Sequence, residues 1–123
     1  MRAMVVDDSK AMRTILKRLL GECGYAEIVE AGNGREGLDA MSAGTPDLAL
    51  VDCDLPEMSG NEFVAAVRAN RAWNDVTLMM ITTETATDQV QVDVAAGADA
   101  YVMKPFTKAA LFEKLDIIKS NRA

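Results

Sequence analysis

Leu48–Gly60 reads L-A-L-V-D-C-D-L-P-E-M-S-G, four apolar residues that run without a break into Asp52, after which a loop begins at once. An uninterrupted apolar run is how a strand buried on both faces reads, as in a parallel sheet covered by helices. Its last residue is a carboxylate. Ligands of open α/β sheets bind outside the carboxyl ends of the strands, so an acid closing a buried strand stands on the functional rim. Asp also starts turns by bonding nearby backbone N–H groups. This stretch alone leaves both readings open, and the other strand ends decide between them.

Upstream, Met4–Val6 is a short apolar run that ends in Asp7 and Asp8, and it is followed by Met12, Ile15, Leu16, Leu19 and Leu20 on one helical stripe. Gly21 and Gly24 offer that helix its stop. Glu27–Ala31 reads as a second strand, and Asn33 with Glu36 caps a helix carrying Leu38 and Met41, ended by Gly44 and Pro46. Downstream, Ser59 and Glu62 form a possible capping box before Phe63, Val64 and Val67, in a helix running to about Asn70. Leu78–Ile81 is a fourth strand closed by Thr82 and Thr83, leading to a helix over 87–96 that Gly97 stops. Ala100–Met103 is a fifth strand closed by Lys104 and Pro105, and Thr107 caps a last helix with Ala110, Leu111, Leu115 and Ile118. Alternation with such short connections implies right-handed βαβ crossovers, hence a doubly wound (βα)5 sheet with helices on both faces.

The 123 residues fit one domain, half of them are hydrophobic, and no repeat, linker or second domain interrupts them. No apolar run approaches the roughly 18 residues of a membrane span, and the opening M-R-A-M-V-V-D-D meets acids too early for a signal peptide. Membrane insertion is therefore not expected, and the expected location is the cytoplasm. Cys23 and Cys53 lack metal-ligand spacing and read as buried free thiols. Nineteen acids against thirteen bases give a net charge of −6, which lacks the footprint of a nucleic-acid binder and suits a divalent cation better. The absence of histidine removes His-based metal sites and His-dependent triads.

Four strands thus end in polar residues that the helical faces do not explain: Asp7 with Asp8, Asp52, Thr82 and Lys104. If the strand order is the common 2-1-3-4-5, the three acids converge at the switch point while Thr82 and Lys104 close the other side. Carboxylates that close repel unless they take up protons or a cation sits among them, and Mg²⁺ is the natural choice for oxygen ligands. A metal, a lone carboxylate nucleophile, a hydroxyl donor and an ammonium are what phosphoryl transfer requires. Asp52 is the expected nucleophile, with Asp7 and Asp8 holding the metal. Lys104 and Thr82 are expected to meet the phosphoryl oxygens.

Asp7-Asp8, the D-x-x-L-P-x-M-x-G run from Asp52 to Gly60, Thr82 and Lys104-Pro105 together resemble the receiver domain of two-component response regulators. The spacings agree, with Asp52 44 residues after Asp8, Thr82 30 after Asp52 and Lys104 22 after Thr82. The resemblance covers the whole chain. Y-V-M-K-P-F-T-K-A-A-L-F-E-K-L, with no output domain, is most similar to the stand-alone, CheY-like chemotaxis type. That family is a standard example of the flavodoxin-like order 2-1-3-4-5, so the order is implied by the resemblance. The resemblance also implies that Asp52 takes a phosphoryl group from a sensor histidine kinase, a phosphotransfer protein or a small donor such as acetyl phosphate. It implies Mg²⁺ on Asp8, Asp52 and the backbone carbonyl of Asp54, with Asp7 acting mostly through water. Lys104 would contact the phosphoryl group across a cis bond to Pro105. Thr82 would move to the new phosphoryl oxygen, Tyr101 would turn inward behind it, and the face of the fourth helix, fifth strand and fifth helix would switch. Asp54 and Glu84 lie where the family tunes phosphoryl lifetime. Thr83 departs from the family's usual Ala, Gly or Ser and narrows access to the site.

The downstream partner that follows is a protein target, a flagellar motor switch for the chemotaxis type, read by a monomer that catalyses only its own phosphorylation and dephosphorylation. A phosphorelay shuttle or a cell-cycle regulator would use the same site. Two other classes are weaker. L-A-L-V-D-C-D resembles the D-x-D motif of haloacid-dehalogenase phosphatases, but it follows two βα units and continues into Leu55-Pro56. A flavodoxin-like FMN module would need a hydroxyl-rich loop where Asp7-Asp8-Ser9 would repel phosphate. A partner-binding adapter that is never phosphorylated would keep the fold without needing the signature residues, all of which are present.

Overall fold

A computed structural model of the chain describes residues 1–53, 55–82, 97–103 and 106–122, with side chains described to Ile81 in the fourth strand and to Ile117 in the last helix. The apolar runs become strands β1 (Arg2–Val6), β2 (Glu27–Ala31), β3 (Leu48–Asp52), β4 (Thr77–Thr82) and β5 (Ala100–Met103). They form one parallel sheet in the order β2-β1-β3-β4-β5, as the resemblance implied. The helices are α1 (Lys10–Glu22), α2 (Gly34–Ala43), α3 (Gly60–Ala69) and a C-terminal helix (Lys108–Arg122), with a 3-10 turn at Arg71–Trp73. The helix expected over 87–96 lies outside the described residues.

β3 is the centre of the sheet, and its alternation shows why its sequence has no polar break. Leu48 and Leu50 enter a core with Leu16, Leu19 and Leu20 of α1 and Leu111 and Leu115 of the C-terminal helix. Ala49 and Val51 enter a second core on the other face, with Met41 of α2 and Phe63, Val64 and Val67 of α3. Every residue of β3 is buried, so either face of the strand demands an apolar side chain.

The caps expected at Asn33, Ser59 and Thr107 form, and Ser9 adds one at the start of α1. Ser9 accepts from Met12 N–H at 3.2 Å and Asn33 from Glu36 N–H at 2.9 Å, while Ser59 and Glu62 complete a reciprocal capping box. Thr107 accepts from Ala110 N–H at 3.0 Å. The end of α1 differs from expectation. Gly21 lies inside the helix, and Gly24 alone makes the stop with φ +100°. Its N–H bonds to Gly21 O and the next N–H, of Tyr25, to Leu20 O, the two crossed bonds of a Schellman motif. Cys23 and Cys53, expected to be buried, are half-buried.

The amino-terminal end of the sheet is tied together by side chains. Arg68, near the end of α3, donates to the carbonyls of Gly97 (2.9 Å), Trp73 (3.3 Å) and Asn74 (3.4 Å) and to Asp99 Oδ2 at 2.7 Å. Asp99 Oδ2 also accepts the Leu78 N–H at 2.9 Å. One guanidinium thereby fixes the entries to both β4 and β5.

Close packing leaves no room at Gly37, where a Cβ would stand 2.7 Å from Phe63 Cε2 and 3.2 Å from Val6 Cγ2. Phe63 is fully buried and has no space to move into. Gly37→Ala should therefore destabilise the fold by about 1–3 kcal/mol, the usual cost of overpacking, read as a lower urea midpoint at unchanged slope. An unchanged midpoint would show that the two cores yield more readily than this packing implies.

Candidate functional site at the carboxyl rim

The sheet register assembles the site. Val6 of β1 pairs with Val51 of β3, so the next residues on each strand, Asp7 and Asp52, emerge side by side. Asp52 pairs with Ile81 of β4, and Thr82 with Met103 of β5, which brings the ends of all these strands to one rim. Asp7 and Asp52 are buried, 1 % and 5 % exposed, whereas Asp8 is exposed. Asp7, Asp8 and Asp52 each offer a carboxylate oxygen, and these oxygens all lie within 4.8 Å of one another. Thr82 closes β4 on this rim. Its hydroxyl, and Asp54, Thr83, Glu84, Lys104 and Pro105, lie outside the described residues.

Local bonds hold the acidic loop in shape. Asp7 Oδ1 accepts the Ser9 N–H at 2.8 Å, an Asx turn that leads straight into the Ser9 cap of α1. The Asp7 N–H continues the β1–β2 ladder by donating to Ala31 O at 3.0 Å. Beyond Asp52, the Cys53 N–H donates to Ile81 O and the Cys53 carbonyl accepts the Gly60 N–H. Gly60 is needed for that approach, since a Cβ there would stand 2.5 Å from the Asp52 carbonyl oxygen. The first residue of α3 is therefore packed directly on the strand end that carries Asp52.

Sequence reasoning missed Arg13. Its Nη1 donates to the Asp7 backbone carbonyl at 2.6 Å and its Nε to Glu30 Oε1 at 3.2 Å, while Lys17 bonds the other Glu30 oxygen at 3.1 Å. Arg13 and Lys17 lie one helical turn apart, opposite an acid on the strand beside β1. Opposite charges on adjacent elements were the available signal.

Tyr101 is half-buried on edge strand β5, packed against the core under α2 and α3. The Lys114 ammonium of the C-terminal helix stands 5.4 Å from the centroid of its ring.

All three clustered donors are carboxylate oxygens. Such a set fits a hard divalent cation such as Mg²⁺, which is commonly held by one or two carboxylates plus waters. A doubly wound parallel sheet with this acidic rim defines a class of signalling module, and residues 3–116 match the response regulator receiver domain. The chain belongs to that family. It is 38 % identical over 119 residues to chemotaxis protein CheY1 of Helicobacter pylori, covering 96 % of each chain. It is 36 % identical over 118 residues to chemotaxis protein CheY of Pseudomonas aeruginosa, covering 96 % of this chain and 95 % of that one. The structure of Vibrio cholerae chemotaxis protein CheY4 superposes with a TM-score of 0.88 at 33 % identity, covering 95 % of this chain and 97 % of that one. The chain is thus a CheY-type receiver of two-component signalling. No helix among the described residues is long and apolar enough to cross a membrane.

The Glu30 carboxyl is held below its ordinary value of 4.5, first by the Lys17 hydrogen bond and also by Arg13, against a smaller opposing effect of burial. A depressed folded value means that the stabilisation is complete above pH 4.5 and is lost as pH falls through the lower folded value. Glu30→Gln should cost less than about 1 kcal/mol at neutral pH, as exposed pairs do. The gap from the parent should close on acidification below pH 4.5. Urea melts at neutral and acid pH check this, and a gap that widens in acid would refute it.

Proposed function

We propose that the protein is a response regulator whose Asp52 accepts a phosphoryl group. The observation that carries this is the gathering of three carboxylates within 4.8 Å, one of them the buried Asp52 that closes the central strand.

In this reading an Asp52 carboxylate oxygen attacks phosphorus of a phosphohistidine on a sensor kinase or phosphotransfer protein. The new O–P bond forms as the P–N bond breaks, and its electron pair stays with the imidazole. Burial keeps bulk water from the acyl phosphate. Asp8, Asp52 and the Asp54 carbonyl would hold Mg²⁺, with Asp7 beside them. The cation would neutralise charge on the phosphoryl oxygens. Lys104, which precedes Pro105, and the Thr82 hydroxyl would supply the remaining cation and donor. Asp54 and Glu84 set how fast water removes the group, and Thr83 narrows access. Motion of Thr82 toward the phosphoryl group frees space for Tyr101 and shifts the face around β5 and the C-terminal helix between two states. Partner proteins read that face. The chemotaxis relatives support an output in motor control, in a monomer working in the cytoplasm.

Incubation with acetyl phosphate and Mg²⁺ should add a single phosphoryl group, about 80 Da by intact mass. The adduct should be lost with EDTA and in Asp52→Asn. Full labelling of Asp52→Asn would remove Asp52 as nucleophile, and continuous phosphate release would point to a turnover phosphatase.

Tyr101→Ala should leave labelling nearly intact while weakening capture of the phosphorylated protein by its output target. Equal capture by parent and variant would end the switch role of Tyr101.

A further inference from the structure

We propose that Arg13 is a positioning residue for the acidic rim, fixing the Asp7–Asp8 peptide so that the carboxylates present themselves to a divalent cation. The inference rests on reading that rim as a cation site.

Asp7 is the first residue past β1. Its N–H still finds a ladder partner in Ala31 O. β2 ends at Ala31. Arg13 donates to the Asp7 carbonyl at 2.6 Å, and this is a charge-assisted bond. The side chain is only 17 % exposed and is held at its other edge by Glu30, which Lys17 also holds. The planar fork thus spans two anchors, the loop peptide and strand β2, a geometry a lysine ammonium cannot reproduce.

This bond matters to cation binding because the Asp7 carbonyl belongs to the peptide that carries Asp8. Rotation of that peptide would swing the exposed Asp8 carboxylate relative to Asp52, which is fixed by burial. Ser9 fixes the Asp7 side chain. Arg13 fixes the backbone beneath it. The guanidinium charge by itself would repel a cation, so any gain in binding from Arg13 comes from its ordering of the loop. Groups that orient metal ligands typically change metal affinity by about tenfold or more when removed.

The test is calorimetric titration of the full, unphosphorylated chain with Mg²⁺, alongside amide NMR spectra. The parent should bind Mg²⁺ and Asp8→Asn should not. Arg13→Gln should bind about tenfold more weakly, with the Asp8 and Ser9 amide resonances displaced. Arg13→Lys, which keeps the charge and one bond, should fall between Gln and the parent and guards against a variant that fails to fold. Equal or tighter binding by folded Arg13→Gln would overturn the proposal while leaving the cation site intact. A parent that does not bind Mg²⁺ would overturn the cation reading itself, and the proposal with it.

Discussion

Like charge held at short range at the end of two neighbouring strands is the constraint on which the rest of this structure depends. Asp7 and Asp52 are both buried and present oxygens within 4.8 Å. At an effective dielectric of about 20, two full charges at that distance repel by roughly 3 kcal/mol. A fold tolerates that only if other parts hold the acids in place, and here they do so from both sides. The register of β1 against β3 fixes the spacing, the Asx turn and the Arg13 bond fix the first loop, and Gly60 fixes the second. The two cores supply the stability that this rim subtracts, which is why β3 can end in an acid but contains none before it.

Most of this was legible because the sheet is parallel and buried. A strand covered on both faces must be apolar throughout, so L-A-L-V announces itself and the next residue is marked as the rim. Helix starts were equally legible at Asn33, Ser59 and Thr107, which cap by short local bonds, whereas the Ser9 cap was not read. Ends were less so. Gly21 and Gly24 look alike in sequence, and only the left-handed φ of Gly24 separates them. Strand limits were short by two residues at the start of β1 and by one at each end of β4, where Arg2, Thr77 and Thr82 read as polar in sequence yet belong to the ladder.

Within the site, the ligating type of residue could be read but the supporting one could not. A carboxylate at a strand end has few structural explanations, whereas an arginine on a helix flank has many. Arg13 becomes meaningful only when β2 is known to lie next to β1, which places Glu30 across from it. The 3-10 turn at Arg71–Trp73 escaped for a similar reason, since it follows the α3 stop and is held by Asn70 and by Arg68 from outside.

The Arg68 clamp separates the molecule into two poles with different tolerance for change. At the amino-terminal pole a permanently charged side chain ties together three backbone carbonyls and one carboxylate. The carboxyl pole, at the other end of the strands, carries the clustered acids. An engineer grafting a new rim onto this sheet should leave Arg68 and Asp99 untouched.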